Sequence, residues 1–177
     1  MFQRRKDIVY VILAGIFITN AIVAEIVGAK IFSVEKTLGF EPLHLNTFFG
    51  IWDLNQTAGA LNWPFVFITS DIINEYFGKK GVKRISYLTA GFIAYSFLII
   101  YGATLLVPAD FWLDVNKGDH NFNINEAFAK IFRQGLGIIT GSLSAFLISQ
   151  ILDAYVFHSI RKVTKGEKIW LRATGST

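Results

Sequence analysis

From Ile85 to Val107 the chain reads ISYLTAGFIAYSFLIIYGATLLV, without one charged side chain. A hydrocarbon core about 30 Å thick takes roughly 20 mostly apolar residues to cross as a helix, and this stretch meets that requirement. Immediately before it, Ala58 to Gly78 reads AGALNWPFVFITSDIINEYFG, shorter and more polar. Nearer the N-terminus, Ile8 to Ala29 reads IVYVILAGIFITNAIVAEIVGA, interrupted only by Asn20 and Glu25. Toward the C-terminus, Asp153 is the only ionised residue between Gly135 and Ile160. Spans at about 8–29, 58–78, 85–107 and 135–160 would take up about half of the 177 residues, more than a soluble core could cover. The expected fold is all-α, a polytopic transmembrane helical bundle forming one membrane domain over residues 1–177.

Composition agrees. Hydrophobic residues make up 53% of the chain and charged residues 17%, against about 45–50% and roughly 25% in soluble domains. With no cysteine, a disulfide scaffold, a thiolate metal site and a cysteine nucleophile are all excluded. Arg4, Arg5 and Lys6 resemble the basic start of a signal peptide, but the apolar run that follows exceeds the usual ~7–15 residues, and three more spans follow it.

The basic residues are unevenly placed. Arg4, Arg5 and Lys6 precede the first span, Lys79, Lys80, Lys83 and Arg84 separate the second from the third, and Arg161, Lys162, Lys165, Lys168 and Arg172 follow the fourth. Twelve of the 17 Lys and Arg residues thus fall on one side. The positive-inside rule makes that side, with the N-terminus, cytoplasmic, and the expected location is the inner (cytoplasmic) membrane. Spans two and four then run from outside to inside. Of the two outer connections, residues 31–57 suit an external hairpin or re-entrant piece. In the second, Ile124, Phe128, Ile131 and Phe132 follow helical spacing as an interfacial extension of span four, with Asn123 or Asn125 as its cap. Trp170 and Leu171 read as the start of a fifth span, as in the first part of a longer protein.

Ionisable residues at membrane depth cost at least ~2.5–3.5 kcal/mol on insertion scales, so each needs a reason. Asp71, Asn74 and Glu75 stand at i, i+3 and i+4, on one helical face, as do Gln150 and Asp153. At about 1.5 Å per residue, Asp71 and Asp153 each lie roughly 10 Å from the inner end of their span. Two helices running in the same direction therefore present carboxylates at matching depth, as in one shared polar cavity. Asn20 is deep enough to face it. Glu25 is nearer the outer interface, and Glu75 is close enough to the inner one to reach Lys79. A structural role, with each polar group satisfied by neighbours, is the competing reading. Pro64 suits a first helical turn and leaves a short span, a feature of transporter binding sites. Trp63 reads as an interfacial anchor in preference to a stacking platform. Gly137, Gly141 and Ala145 form a small-residue row suited to close helix contact.

The stretch NWPFVFITSDIINEYFGKKGVKR, from Asn62 to Arg84, resembles the queuosine precursor transporter family of bacterial membrane proteins. Pro64, Asp71-Ile72-Ile73-Asn74-Glu75-Tyr76 and Gly78-Lys79-Lys80 carry the resemblance. SQILDAYVF, from Ser149 to Phe157, is similar to the family's second polar motif, and WLRATGST, from Trp170 to Thr177, to the start of its third. The resemblance implies a six-helix protein that takes up deazaguanine bases. The family pattern continues past Gly175-Ser176-Thr177 with a further motif and a sixth helix, and the first outer connection here is longer than the family's usual one.

A deazaguanine is planar, with ring N–H and amino donors that paired carboxylates can accept and a carbonyl that Asn and Gln amides complement. Carboxylates at depth can equally carry a coupling proton. The expected site is therefore Asp71, Asn74, Glu75, Gln150, Asp153 and Asn20. The expected partners are a small-molecule base and the lipid bilayer, with no nucleic acid. Surfaces left open by absent helices would favour association with a second copy. An intramembrane aspartyl protease would need a Gly-x-Gly-Asp context, whereas Thr69-Ser70-Asp71 and Ile151-Leu152-Asp153 stand here; no enzyme is expected. With no His pair at ligand spacing and no phosphate-binding glycine loop, neither metal nor cofactor is expected. A capture subunit of a multi-component importer would present a similar cavity.

Overall fold

The structure, a computed structural model, describes residues 2–48, 50–114, 122–133 and 136–164, the side chains of 2–3 and 136–140 excepted. It is mostly helical. Three helices are long and apolar enough to cross a membrane, over Arg4–Val27, Trp63–Thr104 and Gly141–Val163. Their outward faces expose Val11, Ile12, Ile16, Phe65, Ile68, Leu98, Ile148 and Leu152, the pattern of a bundle whose solvent is lipid.

The first helix, α1 (Phe2–Val27), has 26 residues, about 39 Å at the usual rise. In the segment that follows, of the hairpin or re-entrant piece expected over residues 31–57, strand pairing is what forms. There β1 (Ile31–Ser33) pairs antiparallel with β4 (Asn55–Thr57), and β2 (Leu45–Thr47) pairs with β3 (Gly50–Trp52). The short helix α2 (Val34–Thr37) sits between them. Strands of three residues are too short to show an alternating pattern, so the sequence does not mark their bounds. Ala58 donates back to the Lys30 carbonyl at 2.8 Å. A 3₁₀ turn at Ala58–Leu61 then returns the chain to the bundle. Gly59 there lies so close to α1 that a Cβ would be 2.3 Å from the Ala24 carbonyl oxygen, so only glycine fits.

The helix α3 (Trp63–Thr104) has 42 residues and is broken at Gly78, where φ is 68° and ψ −179°. An L-residue has almost no access to that region. The break folds the two segments, 63–77 and 79–104, against each other. Ile73 Cγ2 comes within 3.6 Å of where a Gly81 Cβ would stand, although a straight helix would separate those positions by about 12 Å. The expected connection at residues 79–84 is helical, because one glycine makes the turn without a loop. Tyr10 of α1 closes over this corner, donating to the Gly81 carbonyl at 2.9 Å and lying 4.8 Å from the Phe77 ring.

After α4 (Asp110–Leu113) and α5 (Ile124–Phe132), α6 (Leu136–Val163) completes the described bundle. Asn123, not Asn125, caps α5, accepting from Asn125 and Glu126 N–H at 3.1 and 3.2 Å. The expected extension of the last span is thus a separate helix, ending at Phe132. Arg133 returns to the end of α3, donating to the Thr104 hydroxyl at 2.9 Å and to its carbonyl at 3.0 Å. The expected fifth span, with Trp170 and Leu171, lies outside the described residues.

Phe17, Ala21, Val66, Ile73, Val82, Ile85, Phe146 and Ala154 form the core where α1, α3 and α6 meet. The bundle has two distinct ends. One carries the hairpins, and the other carries Arg4, Arg5, Lys6, Lys80, Arg161 and Lys162.

Candidate functional site

Hydroxyls can enter an apolar helix by bonding back to the carbonyl one turn earlier. Thr69, Ser86, Thr89 and Ser96 do so, to Phe65, Val82, Ile85 and Phe92, at 2.6–2.9 Å. Ser70 reaches across to α6 instead, donating to Gln150 Oε1 at 3.0 Å and lying 3.4 Å from Asp153 Oδ2. Ser70 and Gln150 are fully buried, and Asn74 and Asp153 nearly so. Asn74 stands one turn beyond Ser70 on the same face of α3.

Two donors in this cluster are unmet. The amide nitrogens Asn74 Nδ2 and Gln150 Nε2 are buried with no acceptor among the described residues. Burying such a group without a bond costs about 1–3 kcal/mol, and lipid offers no replacement. The cluster therefore presents N–H donors together with a carboxylate and a hydroxyl, a set suited to a small ligand with both carbonyl and N–H groups.

Gln150 also forms the floor of a cleft of about 420 Å³ between the hairpin-end halves of α3 and α6, lined by Trp63, Phe67, Ser142, Ala145, Phe146 and Ser149. Ligand sites commonly fall between about 300 and 1,000 Å³. Trp63 stacks obliquely between Phe67 and Phe146, each ring centre 5.8 Å away. Trp63, expected as an interfacial anchor, is thus also a wall of the cleft. A cavity of about 450 Å³ lies between α1 and α3 at the basic end, lined by Arg5, Lys6, Val9, Leu13, Ile72, Tyr76 and Phe77. Its lining has no buried polar group, whereas the α3–α6 cleft ends on the fully buried Gln150 and is the better candidate.

The expected residues divide accordingly. Gln150, Asp153 and Asn74 lie in or beside the buried cluster, and Asp71 is half-buried next to Ser70, turned roughly 100° around the helix. Glu75 is one turn nearer the basic end, where its carboxylate lies 3.8 Å from Arg161 Nη2. Asn20 is not brought to the cluster. Its amide donates to the Ile16 carbonyl at 2.9 Å, and its own carbonyl accepts from Asn62 at 3.4 Å. Glu25, for which a wet interfacial position and a site role are equally expected, accepts a short hydrogen bond from Ser142 at the cleft lining. Gly141 faces open space and Ala145 lines the cleft, so these two make no tight helix contact; Gly137 lies among the excepted positions. Ser70 is the site residue the sequence reading passed over. Its position one turn before Asn74 is the signal that could have found it.

The family described as "Putative vitamin uptake transporter" matches residues 57–177. The chain belongs to that family. The matched region of this vitamin uptake transporter family member contains Ser70, Asn74, Gln150 and Asp153, whereas Asn20 and Glu25 precede it. The chain is 28% identical over 128 residues to a protein of Bacillus subtilis (strain 168) named "Probable queuosine precursor transporter", covering 72% of this chain and 52% of that one. It is 29% identical over 127 residues to the "Queuosine precursor transporter" of Escherichia coli (strain K12), covering 72% of this chain and 50% of that one. The chain spans about half the length of these curated relatives. No solved structure matches it.

Proposed function

We propose that this family member serves the import of queuosine precursors, 7-deazaguanine-type bases, across the cytoplasmic membrane. The observation carrying the reading is the pair of buried, unmet amide donors at Asn74 and Gln150, beside Asp153 at the foot of an aromatic cleft. A bound base would enter past the Trp63 wall and seat its carbonyl against these amides at the foot of the cleft. Its ring N–H and amino groups would donate to Asp153 and Asp71, one of which would also carry a coupling proton. The names of the two relatives favour this substrate class. No catalytic step is assigned.

In this proposal segments 63–77 and 79–104 are separate crossings, giving four spans, with the N-terminus and the basic end cytoplasmic. The first of them is short, about 22 Å of α-helix. The four-residue 3₁₀ turn before it adds about 8 Å at ~2.0 Å per residue, enough to match a core of about 30 Å.

Reconstitution into liposomes with a labelled deazaguanine and an imposed pH gradient tests the reading. Gradient-dependent uptake, abolished by Asp153→Asn with insertion intact, is expected. Wild-type uptake by that variant would return Asp153 to a structural role. Lys80→Cys should be labelled only from the cytoplasmic side and Asp114→Cys only from outside; external labelling of Lys80→Cys would invert the orientation.

A further inference from the structure

The cleft stops at Gln150, and the same two helices are fastened together on the other side of that residue. Tyr155 lies five residues beyond Gln150 on α6, about 8 Å nearer the basic end, and Arg161 about 16 Å nearer. Lys79 Nζ stands 2.8 Å from the centre of the Tyr155 ring, and Lys83 Nζ 5.1 Å from it. One turn earlier on α3, Glu75 receives Arg161 twice, with Nη2 3.8 Å from its carboxylate and Nη1 donating to its backbone carbonyl at 3.4 Å. That carbonyl belongs to the last turn before the break at Gly78. A cation is favoured at such a helix C-terminal turn.

We propose that Tyr155 and Arg161, with Lys79 and Glu75, form a latch closing the basic end of the cleft, and that Gly78 is the hinge on which it opens. The proposal rests on the transport reading above and adds to it a conformational state, open toward the hairpin end and shut toward the basic end. The placement of the hinge supports it. Gly78 separates Glu75 from Lys79, the two attachment points on α3, so rotation at this residue moves one contact relative to the other. Nothing stands within 4 Å of where a Gly78 Cβ would be, so the hinge residue itself has room to turn. The contacts suit repeated opening. Tyr155 and Arg161 are both partly exposed, and exposed cation–π and ion pairs are individually weak. The buried Ser70–Gln150 bond beside them is instead of the kind that holds a bundle together.

The absence of cysteine makes the test direct. Ser149→Cys reports on the cleft, and the face of the vesicle that labels Lys80→Cys defines the basic side. In the full chain, without base, a membrane-impermeant maleimide should label Ser149→Cys from the hairpin side and not from the basic side. Combining Tyr155→Leu with Arg161→Gln should raise basic-side labelling at least tenfold. Tyr155→Phe, which keeps the ring, and Arg161→Lys, which keeps the charge, should leave it low, a distinction that general loosening of the fold would not make. Retained hairpin-side labelling certifies folding. If the double variant loses it, Lys79→Gln, which alters neither α6 nor the core, decides by the same readout. Unchanged basic-side labelling in the folded variants would overturn the latch even if base uptake is normal. Opening as expected in a chain that transports no base would leave the latch standing and remove the transport reading.

Discussion

Ser70 and Gln150 are 80 positions apart, yet the Ser70 hydroxyl donates to Gln150 Oε1 at 3.0 Å inside the bundle. The bond sets the register of α3 against α6. It holds the Asn74 and Gln150 amides at neighbouring depth, with no acceptor for either nitrogen among the described residues. Trp63 and Phe146, in ring contact on the hairpin side, support the same register.

This bond should be measurable as coupling. Interhelical hydrogen bonds in membranes average about 0.6 kcal/mol by double-mutant cycle and reach ~1.7. Both partners here are fully buried, which places the expected value in the upper half of that range. Unfolding equilibria of Ser70→Ala, Gln150→Leu and the double variant would give it. A coupling of zero would mean that the two side chains do not support each other.

At Gly78, φ of 68° with ψ of −179° belongs to a region that costs a non-glycine residue about 1–3 kcal/mol. Open space around the position removes any added steric term. Gly78→Ala is expected to destabilise the bundle by that amount, while Gly141→Ala, at an ordinary helical position with equal space, should be neutral or slightly stabilising. Equal stability for both variants would show that the break relaxes when glycine is lost.

Much of this architecture can be read from residue order alone. The apolar runs locate α1, both parts of α3 and α6, and the polar positions singled out on them lie close to where Ser70 of α3 meets Gln150 and Asp153 of α6. Helical periodicity gives only relative phase, however. It groups Asp71 with Asn74 and Glu75, whereas the face packed on α6 is centred on Ser70, a rotation of about 100° that contacts with Phe146 and Gln150 determine. Asn20 looked available because its bond to Ile16 depends on a rotamer. Arg161 and Glu75 are 86 positions apart, and no local pattern pairs them. Of the hairpin or re-entrant piece expected over residues 31–57, the hairpin is what forms, but its strand bounds were not legible because the strands are held by pairing and by Glu35, not by an apolar repeat.

Glu35 carries the pH dependence of that hairpin region. Its carboxylate accepts from the Leu54 N–H at 2.7 Å and from the Ser33 hydroxyl at 2.9 Å. The Leu54 bond is the largest cause holding its pKa below the ordinary value of 4.5, with its own N–H and Ser33 adding to it against the opposing effect of burial. A depressed folded pKa means that the stabilisation is complete above the unfolded value and is lost as pH falls through the lower, folded one. The Leu54 amide resonance should titrate with a midpoint below 4.5, and the pairing of β1 with β4 should loosen over the same interval. Glu35→Gln should abolish the titration; a midpoint at or above the ordinary value would contradict the assigned bonds.

Asn74 separates a binding role from a structural one most sharply. Its Nδ2 is buried without an acceptor among the described residues, a burden of about 1–3 kcal/mol on the empty protein. Replacement by leucine, close in volume and apolar, removes that burden, so Asn74→Leu should unfold at higher denaturant than the parent chain. The same change would leave the carbonyl of a bound base without its donor. Leaving one polar group unsatisfied costs about 1–3 kcal/mol, which weakens binding by roughly fivefold to over a hundredfold. Greater stability with weaker base binding is the signature of a group kept for a ligand. If Asn74→Leu lowers stability and leaves deazaguanine affinity unchanged, the amide serves the fold, and the site must be sought among the residues that line the cleft.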